Sequence, residues 1–179
     1  MTGREAITLP LTVHLRLRLA VQADLPKLEW FGQYTHFRGQ FQRAFAEQQR
    51  GRRLMLIADC NNFPIGHVFV QLSGGEAAVA DGVSRAYFYA FRVMEMFRRQ
   101  GIGTRLLLHA ERLVRERGFG WTTIAVAKDN PNARRLYERL DYRVFRDDRG
   151  EWSYCDHQGQ VRWVSEPCWL MEKDLALSA

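Results

Sequence analysis

Between two apolar segments the chain reads Arg98-Arg99-Gln100-Gly101-Ile102-Gly103-Thr104, and helical spacing of Leu106, Leu107 and Ala110 follows at once. The first turn of a helix leaves backbone N–H groups without intrahelical acceptors and carries the positive end of the macrodipole. Glycines at 101 and 103 withhold side chains that would bar an anion from those groups, and two arginines add charge. A pyrophosphate suits such a loop. The plainer alternative is a tight strand-to-helix turn that needs only glycine's backbone freedom. A dinucleotide fingerprint is excluded because its third glycine falls where Leu106 stands, and a P-loop because no Gly-Lys-Ser/Thr triplet occurs.

Further along, Asn130-Pro131 has the form of a helix start, with Asn as N-cap and proline at the first position. Tyr137 falls on the stripe Ala133–Leu136–Leu140, which by spacing alone is a buried helix face. Glu95 follows an apolar run, so partial burial would raise its pKa toward that of a base. A solvated charge at a strand end accounts for it equally well. His67 and His14 lie in strand patterns and read as sheet residues. Cys60, Cys155 and Cys168 form neither a CxxC pair nor a metal-ligand spacing, so no metal site is expected.

These residues need a scaffold, and hydrophobic periodicity supplies one. Val13–Ala20 alternates apolar and basic residues as a half-buried strand does. Asp24 and Pro26 open a helix, and a second covers Phe37–Gln49. Leu54–Cys60 and Ile65–Leu72 are strands about the Asn61-Asn62 turn. Arg85–Met96 is apolar on both faces, the mark of a central strand, with Tyr87, Tyr89, Phe91 and Val93 on one side. Thr104–Arg117 is a helix with Leu106, Leu107, Ala110, Leu113 and Val114 inward and Glu111–Arg115 and Arg112–Glu116 paired outward. Trp121–Ala127 is a strand, then the Asn130 helix, then strands Tyr142–Arg146 and Arg162–Lys173 joined by a polar stretch. The order is β-α-α-β-β-β-α-β-α-β-β, a mixed α/β class.

The chain of 179 residues fits a single domain spanning 1–179, with its core over about 13–175. Its +6 formal charge suits an anionic ligand, while scattered arginines without a continuous tract argue against nucleic acid. Neither an export signal nor a membrane span is expected, and with an odd cysteine count this points to the cytoplasm.

The chain resembles the GNAT superfamily of N-acetyltransferases. The family's acetyl-CoA motif, Gln/Arg-x-x-Gly-x-Gly/Ala, is met by Arg98, Gly101 and Gly103. Its second motif, Asn-x-x-Ala-x-x-Leu-Tyr-x-x-x-Gly-Phe, is met by Asn130, Ala133, Leu136 and Tyr137, with Tyr142 as the closing aromatic. Asp141 departs from it where the family has glycine, at a left-handed helix end. The resemblance implies a mostly antiparallel central sheet flanked by helices, and acetyl-CoA as co-substrate. Arg98, Arg99, Gly101, Ile102, Gly103 and Thr104 would grip its pyrophosphate. The backbone of Phe91 to Val93 would pair with the pantetheine arm, with the Val93 N–H near the acetyl carbonyl. Asn130 would bond the pantetheine amides and Tyr137 would protonate the departing thiolate. Glu95, or a water chain, would take the amine's proton. The acceptor would be the primary amine of a small molecule or peptide. A catalytically silent CoA-binding or regulatory module of the same fold is the alternative.

Between Phe145 and Trp169, turn signals at Asp148-Arg149-Gly150 and His157-Gln158-Gly159 suggest an elaborated hairpin. Its Asp147, Asp148, Glu151 and Asp156, set among Trp152, Tyr154 and Trp163, would suit a cationic amine. The hairpin would otherwise pack on the domain or pair with a second subunit in a homodimer.

Overall fold

The computed structural model describes residues 12–176. A seven-stranded sheet runs through it in the order β1 (Leu15–Leu19), β2 (Arg53–Cys60), β3 (Phe63–Gln71), β4 (Arg85–Val93), β5 (Trp121–Ala127), β9 (Cys168–Asp174), β6 (Arg143–Asp148). All neighbours are antiparallel except β4 and β5. The mixed, mostly antiparallel class is as expected, and the strand apolar on both faces, β4, is central. The polar stretch holds a further strand, β7 (Glu151–Cys155), and the single strand expected over Arg162–Lys173 is split: β8 (Val161–Ser165) pairs only with β7, while β9 joins the main sheet.

Three α-helices among the described residues cover the sheet. α1 (Arg38–Gln49) lies on one face, where Phe41 and Ala44 pack on Met55, Ile57 and Phe69. α2 (Ile102–Arg115) and α3 (Pro131–Arg139) share the other. The helix expected after Asp24 is a 3-10 helix, Gln22–Glu29, and Asp24 lies inside its first turn rather than ahead of it. From there its carboxylate accepts the Val21 N–H at 2.8 Å and meets Arg18 at 2.7 Å. No helix among the described residues is long and apolar enough to cross a membrane.

α2 buries Leu106, Leu107, Ala110 and Val114 as its spacing requires, but Glu111 joins them. Helical pairing rules had set Glu111 on the solvent face; instead it reaches Lys173 Nζ at 2.7 Å and accepts the Tyr142 hydroxyl at 3.0 Å. The partner that draws it inward is 62 residues away and invisible to local periodicity.

At the end of α3, the Tyr142 N–H donates to Tyr137 O and the Asp141 N–H to Glu138 O, with Asp141 at φ 66°. This is a Schellman ending with aspartate at the position that favours glycine. Asp141→Gly should therefore stabilise the fold by about 0.5–1 kcal/mol, seen as a higher denaturation midpoint at unchanged slope. An unchanged or lower midpoint would show that Asp141 stabilises that turn in another way.

Candidate active site

The loop ahead of α2 takes the shape its glycines allow. Gly101 is the N-cap at φ 77°, and a side chain there would meet nothing within 4 Å. No side chain caps the helix. The N–H groups of Ile102, Gly103 and Thr104, at the head of the helix, therefore precede its first internal acceptor, the Gly101 carbonyl taken by Arg105 at 3.0 Å. Ile102 itself is core. Gly103 has a local reason that its sequence did not display: a Cβ would lie 2.9 Å from Phe91 Cζ. Its bare Cα lets helix and strand approach, as well as keeping the first turn clear. Arg99, at φ 59°, and Arg98 are exposed, and Arg98 Nε donates to Val93 O at 3.0 Å.

β4 and β5 pair only from Arg85–Trp121 to Phe88–Ile124. Beyond that point β4 continues to Val93 and β5 to Ala127 without bonding, so the sheet parts beside the start of α2. The Met94 N–H donates to Ile65 O at 2.8 Å, making that a hydrogen-bonded pair with β3. Val93, one step back on an antiparallel ladder, turns its N–H and C=O the other way, toward the gap.

A bulge lies within the opened segment. Register slips between His67 and Phe69 of β3, and Ala90 takes φ 48°. Strict alternation put Tyr89, Phe91 and Val93 on one face. Instead the extra residue sends Phe91 and Val93 to the α2 side while Tyr89 stays on the α1 side. Arg92, between them, is thereby turned toward α1.

α3 brings Tyr137 to this gap. Asn130 Oδ1 accepts the Ala133 N–H at 3.1 Å, the cap its sequence announced, and Pro131 follows at the first position. Tyr137 is 4% exposed, its ring 6.3 Å from Phe91 and 6.0 Å from Tyr142. It is a core residue and a neighbour of the opened strand at once. Burial, with Tyr87 nearby, pushes its hydroxyl above the ordinary tyrosine range, so it keeps its proton at working pH. Phe91, Val93, Arg98, Gly101, Ile102, Gly103, Thr104 and Tyr137 thus converge on one end of β4.

Glu95 does not share that burial: β4 ends at Val93, and Glu95 stands exposed to solvent in the 3-10 turn Glu95–Phe97. His67 is a sheet residue, fully buried, and burial with Arg92 beside it holds its ring well below the usual histidine pKa. His14 is exposed just outside β1.

Three carboxylates of the C-terminal hairpin are already matched. Asp147 meets Lys128 at 2.7 Å, Asp148 meets Arg146 at 3.2 Å, and Asp156 meets Arg162 at 2.7 Å. Trp152 and Tyr154 pack on Phe37, with ring centroids 6.3 and 4.8 Å away. Of the two readings of the hairpin, Trp152 and Tyr154 follow the one in which it packs on the domain, Trp163 stays exposed, and three of the acids are paired locally.

Arg92 and the rings around it were not singled out from sequence. An arginine inside an aromatic run gives no local sign that a bulge will aim it at Tyr34 and Phe37, where its guanidinium lies 4.6 and 5.2 Å from the ring centroids.

Solved structures share this architecture. The ribosomal-protein-S18-alanine N-acetyltransferase of Escherichia coli is 20% identical, with a TM-score of 0.67 over 90% of this chain and 94% of that one. Arabidopsis thaliana NAA60 in complex with acetyl-CoA is 19% identical, with 0.69 over 91% and 99%. The PaiA N-acetyltransferase of Thermoplasma acidophilum in complex with coenzyme A is 16% identical, with 0.68 over 90% and 99%. At these identities the likeness is one of fold. A comparison with curated protein sequences finds no match. The model of the acetyltransferase (GNAT) family matches residues 21–142, more than half of the chain, and the protein belongs to that family.

Proposed function

We propose that this protein is an acetyl-CoA-dependent N-acetyltransferase that moves the acetyl group to a primary amine by direct attack on the thioester. The observation that carries the proposal is the opening of β4 from β5 beside the uncapped start of α2, with Tyr137 facing Phe91 across it. A slender amide-bearing arm fits the unpaired edge of β4, and a pyrophosphate fits the open loop at Gly101. Structural relatives crystallised with acetyl-CoA or coenzyme A support the same ligand.

In this assignment the N–H groups of Ile102, Gly103 and Thr104, with Arg98 and Arg99, hold the pyrophosphate. Phe91 and Val93 offer backbone partners to the pantetheine, and the Val93 N–H stabilises the oxygen that gains charge when the amine attacks. Asn130 is assigned to the pantetheine amides. Tyr137, buried and protonated, returns a proton to the departing sulfur. The amine must lose its own proton before attack; with Glu95 open to solvent, water serves that step as readily as the carboxylate. A peptide or protein amine is supported by a relative that acts on the alanine of ribosomal protein S18. A single domain acting in the cytoplasm completes the proposal, with homodimerisation left to measurement.

The test is release of free thiol from acetyl-CoA on adding amines from a panel of amino acids, polyamines, aminoglycosides and peptide N-termini. Amine-dependent release supports the proposal. Binding of acetyl-CoA without release for any amine would instead favour a silent CoA-binding module.

A further inference from the structure

We propose that the acceptor carries a carboxylate close to its amine and that Arg92 binds it. This rests on the transferase reading above and adds the acceptor's charge. Arg92 stands between Phe91 and Val93, the two residues assigned to the thioester arm, and the Ala90 bulge turns it to the opposite face of the sheet. It would therefore meet an acceptor arriving from the α1 side within one residue of the reacting carbonyl.

Its surroundings lack a counter-ion in contact. The guanidinium lies over Tyr34 and Phe37, and Nη1 is 3.4 Å from His67 Nε2. None of the ion pairs among the described residues includes Arg92. Burial disfavours its charge; the Tyr34 hydroxyl and, more weakly, the Glu166 carboxylate favour it. It nonetheless remains a cation, since guanidinium does not deprotonate in proteins. Three other partly buried arginines, Arg18, Arg85 and Arg146, each meet a carboxylate within 2.7 Å, while Arg53 donates to the Tyr89 hydroxyl. A desolvated cation without a contacting anion is unfavourable, and an incoming anion removes that penalty. A carboxylate suits the fork of guanidinium donors better than a point charge does.

A separate observation agrees in sign. Between α1 and the β7–β8 hairpin lies a cavity of about 580 Å³, lined by Arg43, Arg50 and Arg53, with Glu47 as the only carboxylate in its wall. Tyr154, also in that wall, packs on the same Phe37 that lies beneath Arg92. The basic wall and Arg92 share an aromatic partition, while Asp147, Asp148 and Asp156 of the hairpin are bound to Lys128, Arg146 and Arg162.

Two sources could present the carboxylate: a free α-amino acid, or an acidic side chain at a peptide N-terminus. Thiol release should be compared between alanine and alaninamide, and between Asp-Ala-amide and Asn-Ala-amide, with spermidine as cationic control. The acid of at least one pair should react faster than its amide, and the pair that does identifies the source. In Arg92→Gln the KM for that acid should rise about 10–100-fold while acetyl-CoA affinity and the amide's kinetics stay unchanged. Arg92→Lys should fall between, keeping charge without the fork. The same preference is read without turnover by thermal shift: N-acetylalanine should stabilise wild type but not Arg92→Gln, and N-acetylalaninamide neither. Failure of every amine to release thiol, with the N-acetylalanine shift intact, would overturn the transferase reading and leave the carboxylate site standing. Amides or spermidine reacting as well as matched acids, or Arg92→Gln shifting equally with N-acetylalanine, would overturn the role of Arg92.

Discussion

Tyr137→Phe should lower kcat about 10²–10⁴-fold and leave acetyl-CoA affinity nearly unchanged. The substitution deletes one oxygen and keeps the ring that packs on Phe91 and Tyr142, so the fold loses little. Burial raises the hydroxyl's pKa rather than lowering it, which fixes the pH behaviour. The acid form is complete below the ordinary tyrosine value of about 10 and persists above it, so Tyr137 imposes no alkaline fall in kcat through neutral pH. A variant with wild-type turnover would make Tyr137 a packing residue only.

The largest expected effect on stability lies behind that tyrosine. Lys173 and Glu111 are 5% and 6% exposed and meet at 2.7 Å; Tyr142 donates to Glu111 and accepts from Thr122 at 3.0 Å. Lys173→Met should destabilise the protein by about 3–5 kcal/mol, because it strands a buried carboxylate. Replacing both, as Glu111→Leu with Lys173→Met, should recover most of the loss, since Tyr142 keeps Thr122 and neither charge remains. Denaturant midpoints of the two single variants and the double variant measure this. A double variant as unstable as the sum of the singles would show that the pair does not act as a unit.

What sequence revealed here was what local chemistry decides. Asn130 and Pro131 act on the next turn of chain, so both the α3 start and the left-handed Asp141 at its end were legible. The α2 stripe was legible for the same reason, and Gly101 needs its φ of 77° whatever surrounds it. Contacts between distant segments were not. The bulge at Ala90 has no glycine to announce it, so the period-two reading of β4 put Phe91 and Val93 on the wrong face and hid Arg92. Glu111 looked solvated because Lys173 lies far along the chain. The hairpin acids looked free because Lys128 of one partnership precedes them by a whole helix, and the solvated reading of Glu95 holds because β4 stops at Val93 rather than Met96.

The central claim is that the Gly101–Thr104 turn holds acetyl-CoA, and the most direct measurement is ligand-induced stabilisation compared across wild type, Gly103→Ala and Gly103→Glu. Both variants press on Phe91, but only glutamate sets a negative charge against the cradle. Wild type with acetyl-CoA at about 100 times its Kd should gain roughly 2.7 kcal/mol, Gly103→Ala should keep a measurable part, and Gly103→Glu should gain nothing. A wild type that acetyl-CoA does not stabilise, or a Gly103→Glu variant that it stabilises as fully as wild type, would contradict the account.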